Sequence, residues 1–220
     1  MRGRALHRTA LVVRLGMLAA LAGAAVPAAA HGKPATPPAK AAAAPAASPF
    51  AQRYAQLCAA CHGANGRSEM VGTPVLAGQH SFYAITQLFL FREGRRPNEA
   101  MTALAKGMKD DDLRGFSDYI GTLPAQPAPA PATPNDAARM ARGKALAQEN
   151  RCVICHGPDL SGGQQVPRIA QQKEEYLKLA LHEFKQGKRV GYTQAMGEAV
   201  RSITPEDLDT LAYYIARLDK

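Results

Sequence analysis

Two copies of one five-residue pattern contain every cysteine of the chain, as CAACH at 58–62 and CVICH at 152–156. On a helix, residues at i, i+3 and i+4 lie on one face. Two thiols and an imidazole in this order are the attachment pattern of c-type haem, in which the thiols form thioethers and the histidine binds iron. The pattern therefore predicts two covalently bound haem c groups. The predicted attachment residues are Cys58, Cys61, Cys152 and Cys155, and the predicted proximal iron ligands are His62 and His156.

Other uses of paired cysteines fit these motifs poorly. A zinc ribbon places its two Cys-x-x-Cys motifs roughly 15–20 residues apart, whereas these motifs start 94 positions apart. A thioredoxin-like motif lies beside a strand–helix–strand pattern, and neither motif here follows a β-branched run. A disulfide framework has no need of a histidine after each cysteine pair. The spacing favours haem attachment.

The segments that must position these groups are two copies of one unit. Several residues of the first copy recur 93 positions later, and others near its end recur after 95 positions. The first set comprises Tyr83/Tyr176, Leu88/Leu181, Phe91/Phe184, Gly94/Gly187 and Arg96/Arg189, and the second comprises Leu113/Leu208, Tyr119/Tyr214 and Ile120/Ile215. This period far exceeds the 20–50 residues of solenoid repeats and indicates a duplicated domain.

Each copy has the pattern of a helical domain, so the predicted fold class is all-α. A helix is expected to enter each haem motif, over 50–60 and, with a break, over 136–154. A middle helix carries Tyr83 or Tyr176, and a final helix begins after Asp110 or Thr204. Alternating β-branched residues are absent, which argues against strands.

Composition divides the chain into five segments. Residues 1–30 combine arginines, a 12-residue apolar run and Ala28-Ala29-Ala30, as in a cleaved signal peptide for export to the periplasm. The run is shorter than the roughly 20 residues that a membrane span needs. Alanine- and proline-rich stretches predict a spacer at 31–48 and a linker at 125–134, which leaves two domains, each with one haem motif, at 49–124 and 135–220.

The charge of the chain argues against nucleic acid as a partner. Removal of residues 1–30 would take away four of the 27 basic residues and none of the 18 acidic residues, which lowers the net charge from +9 to +5. No basic stripe is interleaved with aromatic residues. A mildly basic surface remains suited to docking an acidic redox protein.

The sixth iron ligand decides between an electron carrier and an enzyme. Met196 is the only methionine after His156, and it lies 12 residues before Leu208. Met101 lies the same distance before Leu113, whereas Met108 does not match. Met101 and Met196 are therefore the predicted ligands. Met70 is too near His62 to reach the opposite haem face, and His80 and His182 are rival ligands that we expect to be a loop residue and a solvated residue.

In its haem motifs and the segments around them, the chain resembles the class I c-type cytochromes, and specifically the soluble tandem dihaem proteins of the cytochrome c4 type. The resemblance rests on both Cys-x-x-Cys-His-Gly motifs, the Pro-x-Leu/Ile-Ala-x-Gln turns at 74–79 and 167–172, the middle helix, the methionine segment and the terminal Tyr-Ile helix. It implies two tandem class I domains, each wrapped around one haem. It also implies that Pro74 and Pro167 present backbone carbonyls to the proximal histidines.

The chain departs from the pattern of this family in two places. The resemblance implies that Gly143 lies where the first helix of the second domain crosses the last one, but Ala51 occupies the expected equivalent position in the first domain. That crossing is therefore expected to be looser. The linker at 125–134 is also long, which weakens the case for a tight interface between the haems, but the resemblance still implies packed domains, and we expect the two units to dock.

The predicted function is that of a periplasmic electron carrier between a quinol-oxidising complex and a terminal oxidase. An electron-transfer subunit of a periplasmic dehydrogenase is the main alternative, and peripheral membrane association is compatible with both. A dihaem peroxidase is a third alternative, but it needs one haem with a sixth position that opens. Two methionine ligands argue against that enzyme.

Overall fold

The computed structural model describes residues 48–189 and 194–218. The predicted signal peptide, and all of the predicted spacer except Ser48, lie outside these residues. Within them the chain forms ten α-helices, and the one β-bridge, between Gly163 and Val166, is isolated. The prediction of an all-α protein is confirmed. No helix of the described residues is long and apolar enough to cross a lipid bilayer.

The helices repeat in the same order in the two halves. The first half contains α1 (Pro49–Leu57), α2 (Ala59–His62), α3 (Ser81–Arg92), α4 (Glu99–Ala105) and α5 (Asp110–Thr122). The second half contains α6 (Ala137–Glu149), α7 (Cys152–His156), α8 (Glu174–Lys185), α9 (Gln194–Val200) and α10 (Pro205–Ala216). The short helices α4 and α9 were not predicted, because seven residues are too few to establish a helical period.

Each half has its own hydrophobic core. In the first half Tyr54, Leu113 and Phe116 are nearly inaccessible to solvent, and in the second half Leu208 and Leu211 are equally buried. These cores lie within the predicted domains 49–124 and 135–220, whose bounds remain a prediction. Because each core is small, a large apolar cofactor would add substantially to the buried surface of each half.

Local interactions explain where the helices begin and break. Thr204 accepts a hydrogen bond from the Asp207 backbone nitrogen at 3.1 Å and caps α10. The predicted break before the second haem motif falls between α6 and α7, where Arg151 has a left-handed conformation with φ 55°. That turn redirects the chain so that the helix of the haem motif starts at Cys152.

A glycine lies at the crossing of the first and last helices in both halves. A Cβ atom at Gly143 in α6 would lie 2.3 Å from the Tyr214 Cβ and 2.9 Å from the Thr210 carbonyl oxygen. In the first half the glycine belongs to the last helix instead, since a Cβ at Gly115 would lie 2.1 Å from the Phe50 ring. The expectation of a looser crossing at Ala51 therefore missed the compensating glycine in α5.

The long linker does not keep the two halves apart. His80 Nε2 lies 2.9 Å from the Ser161 carbonyl oxygen, and the Ala128 backbone nitrogen of the linker donates to the Gln171 carbonyl at 2.8 Å. The Arg67 Nε atom also donates to the Pro127 carbonyl at 3.0 Å, which fixes the linker against the first half. The halves therefore form a direct interface, as expected from the resemblance and despite the length of the linker.

Candidate haem sites

The helices α2 and α7 place the haem-attachment residues. The His62 and His156 side chains are buried, with 7% and 5% of each residue exposed. The first cysteine of each motif is partly buried and the second is exposed. Each motif is followed by a glycine with a positive φ, and a Cβ at Gly63 would lie 2.4 Å from the Arg67 carbonyl oxygen. The chain can therefore turn away from the histidine only with glycine at this position.

Both proximal histidines are oriented by a proline carbonyl. The His62 Nδ1 atom lies 3.0 Å from the Pro74 oxygen, and the His156 Nδ1 atom lies 3.0 Å from the Pro167 oxygen. Burial lowers the pKa of both imidazoles and keeps them neutral. A neutral ring that donates through Nδ1 leaves the Nε2 lone pair available to a metal. This geometry supports the predicted roles of Pro74 and Pro167.

The two candidate methionine ligands occupy equivalent places in the fold. Met101 is the third residue of α4 and Met196 is the third residue of α9. Both are partly buried. Met108 follows α4 and belongs to the first core, where 9% of it is exposed. Its counterpart 95 positions later is Ile203, a buried residue of the second core, which supports a packing role for Met108.

The two rival histidines have other partners. The His182 side chain, which was expected to be solvated, is 30% exposed, and its Nε2 atom lies 2.9 Å from the Asp209 carboxylate oxygen, which joins α8 to α10. His80 lies just before α3 and contacts the other half through Ser161. Neither histidine lines the cavity that His62, His156, Met101 and Met196 line.

A cavity of about 380 Å³ is lined by the predicted iron ligands of both halves. Its lining includes His62 and Met101 from the first half and His156 and Met196 from the second, and Met70 and Met108 line it as well. Its other walls are largely apolar, and include Leu88, Phe91, Leu104, Phe116, Ile169, Leu177, Leu181 and Phe184. The Gln87 Nε2 atom at this wall is buried and has no hydrogen-bond partner among the described residues. An apolar cavity with a buried unpaired donor fits a haem, whose propionates accept hydrogen bonds.

Arginine and tyrosine side chains from both halves meet at this cavity. The Arg96 Nη2 atom donates to the Tyr176 hydroxyl at 2.8 Å, and the Arg189 guanidinium lies 5.8 Å from the centre of the Tyr176 ring. Burial alone raises the pKa of Tyr176, but the two guanidinium groups outweigh it and lower the pKa to about 8. The Arg189 Nε atom also donates to the Glu183 carboxylate at 2.7 Å, so the cluster keeps one positive charge in excess, which could hold an anionic propionate. The sequence repeat identified these residues only as landmarks of the duplication.

Comparisons with known proteins identify the family. A model of the cytochrome c family matches residues 140–219, and a model of the cbb3-type cytochrome c oxidase subunit III matches residues 45–120. A cytochrome c4 from Thiocapsa roseopersicina is 31% identical over 74% of this chain and 88% of its own length. The chain belongs to the cytochrome c4 family.

Two further matches agree with this family assignment. The thiosulfate dehydrogenase electron acceptor of Stutzerimonas stutzeri strain A1501 is 33% identical over 74% of this chain and 80% of its own length. The crystal structure of reduced recombinant cytochrome c4 from Pseudomonas stutzeri superimposes with a TM-score of 0.69 and 26% identity, over 78% of this chain and 98% of that chain.

The family confirms the tandem class I fold and two covalently bound haem c groups. The protein is an electron-transfer protein and not an enzyme, which sets the peroxidase alternative aside. When bound, each haem supplies an iron that exchanges one electron. The iron ligands and the roles of the two prolines remain predictions that the geometry supports.

Proposed function

We propose that the protein carries electrons one at a time in the periplasm, from a quinol-oxidising complex to a terminal oxidase. The observation that carries this proposal is the placement of a histidine and a methionine from each half at one apolar cavity. Methionine opposite histidine raises the reduction potential of a haem. Two protein ligands on each iron also leave no position for a substrate, so the role of a carrier follows.

The residues of this chain hold, orient and shield the reactive group. Pro74 and Pro167 fix the imidazole rings of His62 and His156, whose low pKa keeps them neutral. The apolar walls exclude water and stabilise the less charged, reduced state of each site. No proton has to move at these histidines during electron transfer, because Nδ1 keeps its hydrogen bond in both states.

Electrons would leave and enter where each haem motif reaches the surface. The second cysteine of each motif is exposed. Exposed apolar side chains lie nearby, since Leu57 adjoins the first motif and Ile154 lies within the second. A small apolar contact of this kind suits a transient redox interface that forms and separates rapidly. Redox proteins are therefore the proposed partners, and periplasmic export would depend on the predicted signal peptide at 1–30.

The test is oxidation of the purified, reduced holoprotein by membranes of the source organism. We expect rapid oxidation under air that stops when a terminal-oxidase inhibitor is added. We also expect the oxidised protein to be reduced when quinol is supplied to membranes, and an inhibitor of the quinol-oxidising complex should block that reduction. Slow reactions that neither inhibitor affects would overturn this choice of partners.

One relative supports a second candidate function, in which the electron donor is a dehydrogenase. The Stutzerimonas stutzeri relative is named a thiosulfate dehydrogenase electron acceptor. The two candidates share the same haem sites and differ in the electron donor. Purified thiosulfate dehydrogenase with thiosulfate should reduce this protein at a rate proportional to enzyme concentration if the second candidate is correct. No reduction in this assay would leave the quinol-linked route as the proposal.

A further inference from the structure

Two buried glutamines reach across the interface between the halves. Gln172 ends the proline turn of the second half, yet its side chain binds the backbone of Val75 in the first half. The Gln172 Oε1 atom accepts from the Val75 nitrogen at 2.8 Å, and its Nε2 atom donates to the Val75 oxygen at 2.8 Å. Both residues are buried, with 5% and 2% of their surfaces exposed.

Gln79 makes the reciprocal contact from the first half. Its Nε2 atom donates to the Arg168 carbonyl at 2.6 Å, and its Oε1 atom accepts from the Arg168 nitrogen at 3.2 Å. Gln79 and Gln172 are 93 positions apart, as are Val75 and Arg168. The two pairs are therefore related by the same duplication. Each amide has its donor and acceptor matched to a backbone carbonyl and N–H, which fixes its orientation.

These contacts lead directly to the proximal histidines. The Val75 N–H and the Pro74 carbonyl belong to one peptide group, and that carbonyl accepts from His62. The Arg168 N–H and the Pro167 carbonyl form the equivalent peptide group beside His156. When a peptide N–H donates a hydrogen bond, its carbonyl oxygen becomes a stronger acceptor. The glutamine of one half thereby strengthens the hydrogen bond to the histidine of the other half.

We propose that Gln172 is a positioning residue for the haem of the first domain and that Gln79 is one for the haem of the second domain. A stronger hydrogen bond at Nδ1 makes the imidazole a better electron donor to iron. A better donor stabilises the oxidised state and lowers the reduction potential. Each domain therefore adjusts the potential of the haem in the opposite domain. The inference rests on His62 and His156 as iron ligands and does not depend on which redox partner the protein uses.

The test is a redox titration of full-length holoprotein variants in which each haem is followed by its own haem-methyl NMR signals. Gln172→Leu should raise the potential of the haem attached at Cys58 and Cys61 and leave the other haem nearly unchanged. Gln79→Leu should raise the potential of the haem attached at Cys152 and Cys155. The crossed pattern is the diagnostic result, because simple damage to one domain would affect the haem of that same domain.

His80→Ala is the matched control, because it removes a hydrogen bond across the same interface without touching either proline peptide. It should not produce a shift confined to one haem. A shift confined to the haem of the substituted domain, a shift of the same size in both haems, or no shift would overturn the proposal. If Gln172→Leu does not fold, Gln172→Asn keeps the amide but shortens its reach by one methylene, and the same crossed shift is expected.

A further variant separates this inference from the ligand assignment on which it rests. His62→Ala should convert the first haem from the low-spin to the high-spin state if His62 binds iron. An unchanged low-spin spectrum would refute the ligand assignment and with it the inference. A spin-state change in His62→Ala together with no crossed shift in Gln172→Leu would refute the inference alone.

Discussion

The side chains around each haem differ in how strongly their surroundings constrain them. His62 and His156 are buried, neutral and hydrogen bonded through Nδ1. Met101 and Met196 are only partly buried and lie on helices of seven residues. A helix this short is not stable by itself. The methionine side of each site therefore depends on iron ligation more than the histidine side does.

Substitution of the methionines tests the ligand assignment. Oxidised haem with a methionine ligand has a weak near-infrared charge-transfer band between sulfur and iron. Met101→Ala and Met196→Ala should each remove about half of this band, because each deletes one of two sulfur ligands. The measurement is the absorption spectrum of each oxidised holoprotein.

Met108→Ala is the control for this series, because Met108 packs in the first core. It should leave the band at full strength and lower stability by about 2–5 kcal/mol, as expected for a buried methionine truncated to alanine. A full band in Met101→Ala together with a reduced band in Met108→Ala would reverse the assignment.

At the scale of the helices, the close crossing of the first and last helix supports each haem motif. The helices α6 and α10 meet where Gly143 faces Thr210 and Tyr214. The helices α1 and α5 meet where Phe50 lies over Gly115. The two domains thus reach the same crossing with the glycine on opposite helices. The fold requires one residue without a Cβ atom at this contact, and that glycine can lie on either helix.

Gly143→Ala should destabilise the holoprotein by about 1–3 kcal/mol, the usual cost of overpacking a close contact. The reason is that the new Cβ would meet the Thr210 backbone at 2.9 Å, which cannot move without shifting α10. Chemical denaturation followed by circular dichroism measures the change. Gly115→Ala should cost less, because its nearest atoms belong to the Phe50 ring, which can rotate.

Gly107→Ala is the control for the helix crossing. No atom lies within 4 Å of a Cβ built at Gly107, so its effect should stay within about 0.5 kcal/mol. Equal effects of Gly107→Ala and Gly143→Ala would show that the crossing does not need a glycine.

At the scale of the whole molecule, the two halves meet around one apolar cavity that both of them line. The cavity of about 380 Å³ extends between the halves and takes residues from both. Buried polar contacts surround it, including the two glutamine pairs and the contact of Arg96 with Tyr176. Removal of haem would expose the apolar walls to water and leave the buried Gln87 Nε2 donor at the cavity without a partner.

The protein should therefore be poorly folded without haem. Expression in a cytoplasm that lacks haem attachment should give low helicity by circular dichroism and rapid digestion by protease, because binding of the cofactor contributes free energy to folding. The holoprotein under the same conditions is the control. A cooperatively unfolding, protease-resistant apoprotein would contradict this expectation.

Separation of the domains should change both reduction potentials. In the intact protein, charge on one haem opposes charge on the other across a partly buried gap, and the opposition is lost when the domains are apart. The measurement compares redox titrations of intact holoprotein with those of separately expressed holo-segments 49–124 and 135–220. Curves of the two segments that sum to the intact curve would mean that the domains act independently.

Much of the chemistry could be predicted from short-range patterns. The cysteine and histidine spacing in 58–62 and 152–156 specifies one helical face without any knowledge of the fold. Thr204 and Pro205 mark a helix start for equally local reasons. The duplication then placed Met101 and Met196 in equivalent positions by comparison within the chain. Cofactor class, fold class and candidate ligands all depend on information of this kind.

The interface was decided by the tertiary structure alone. Gln79 contacts Arg168 across 89 positions, and Gln172 contacts Val75 across 97. No periodic pattern relates such residues, because a glutamine in a turn has the same local signature whether it meets solvent or another domain. The same holds for His182, whose partner Asp209 lies on another helix, and for Gly115, whose role depends on the Phe50 ring. Spacing determines which groups share one helix face, whereas packing decides which peptide or side chain each of them meets.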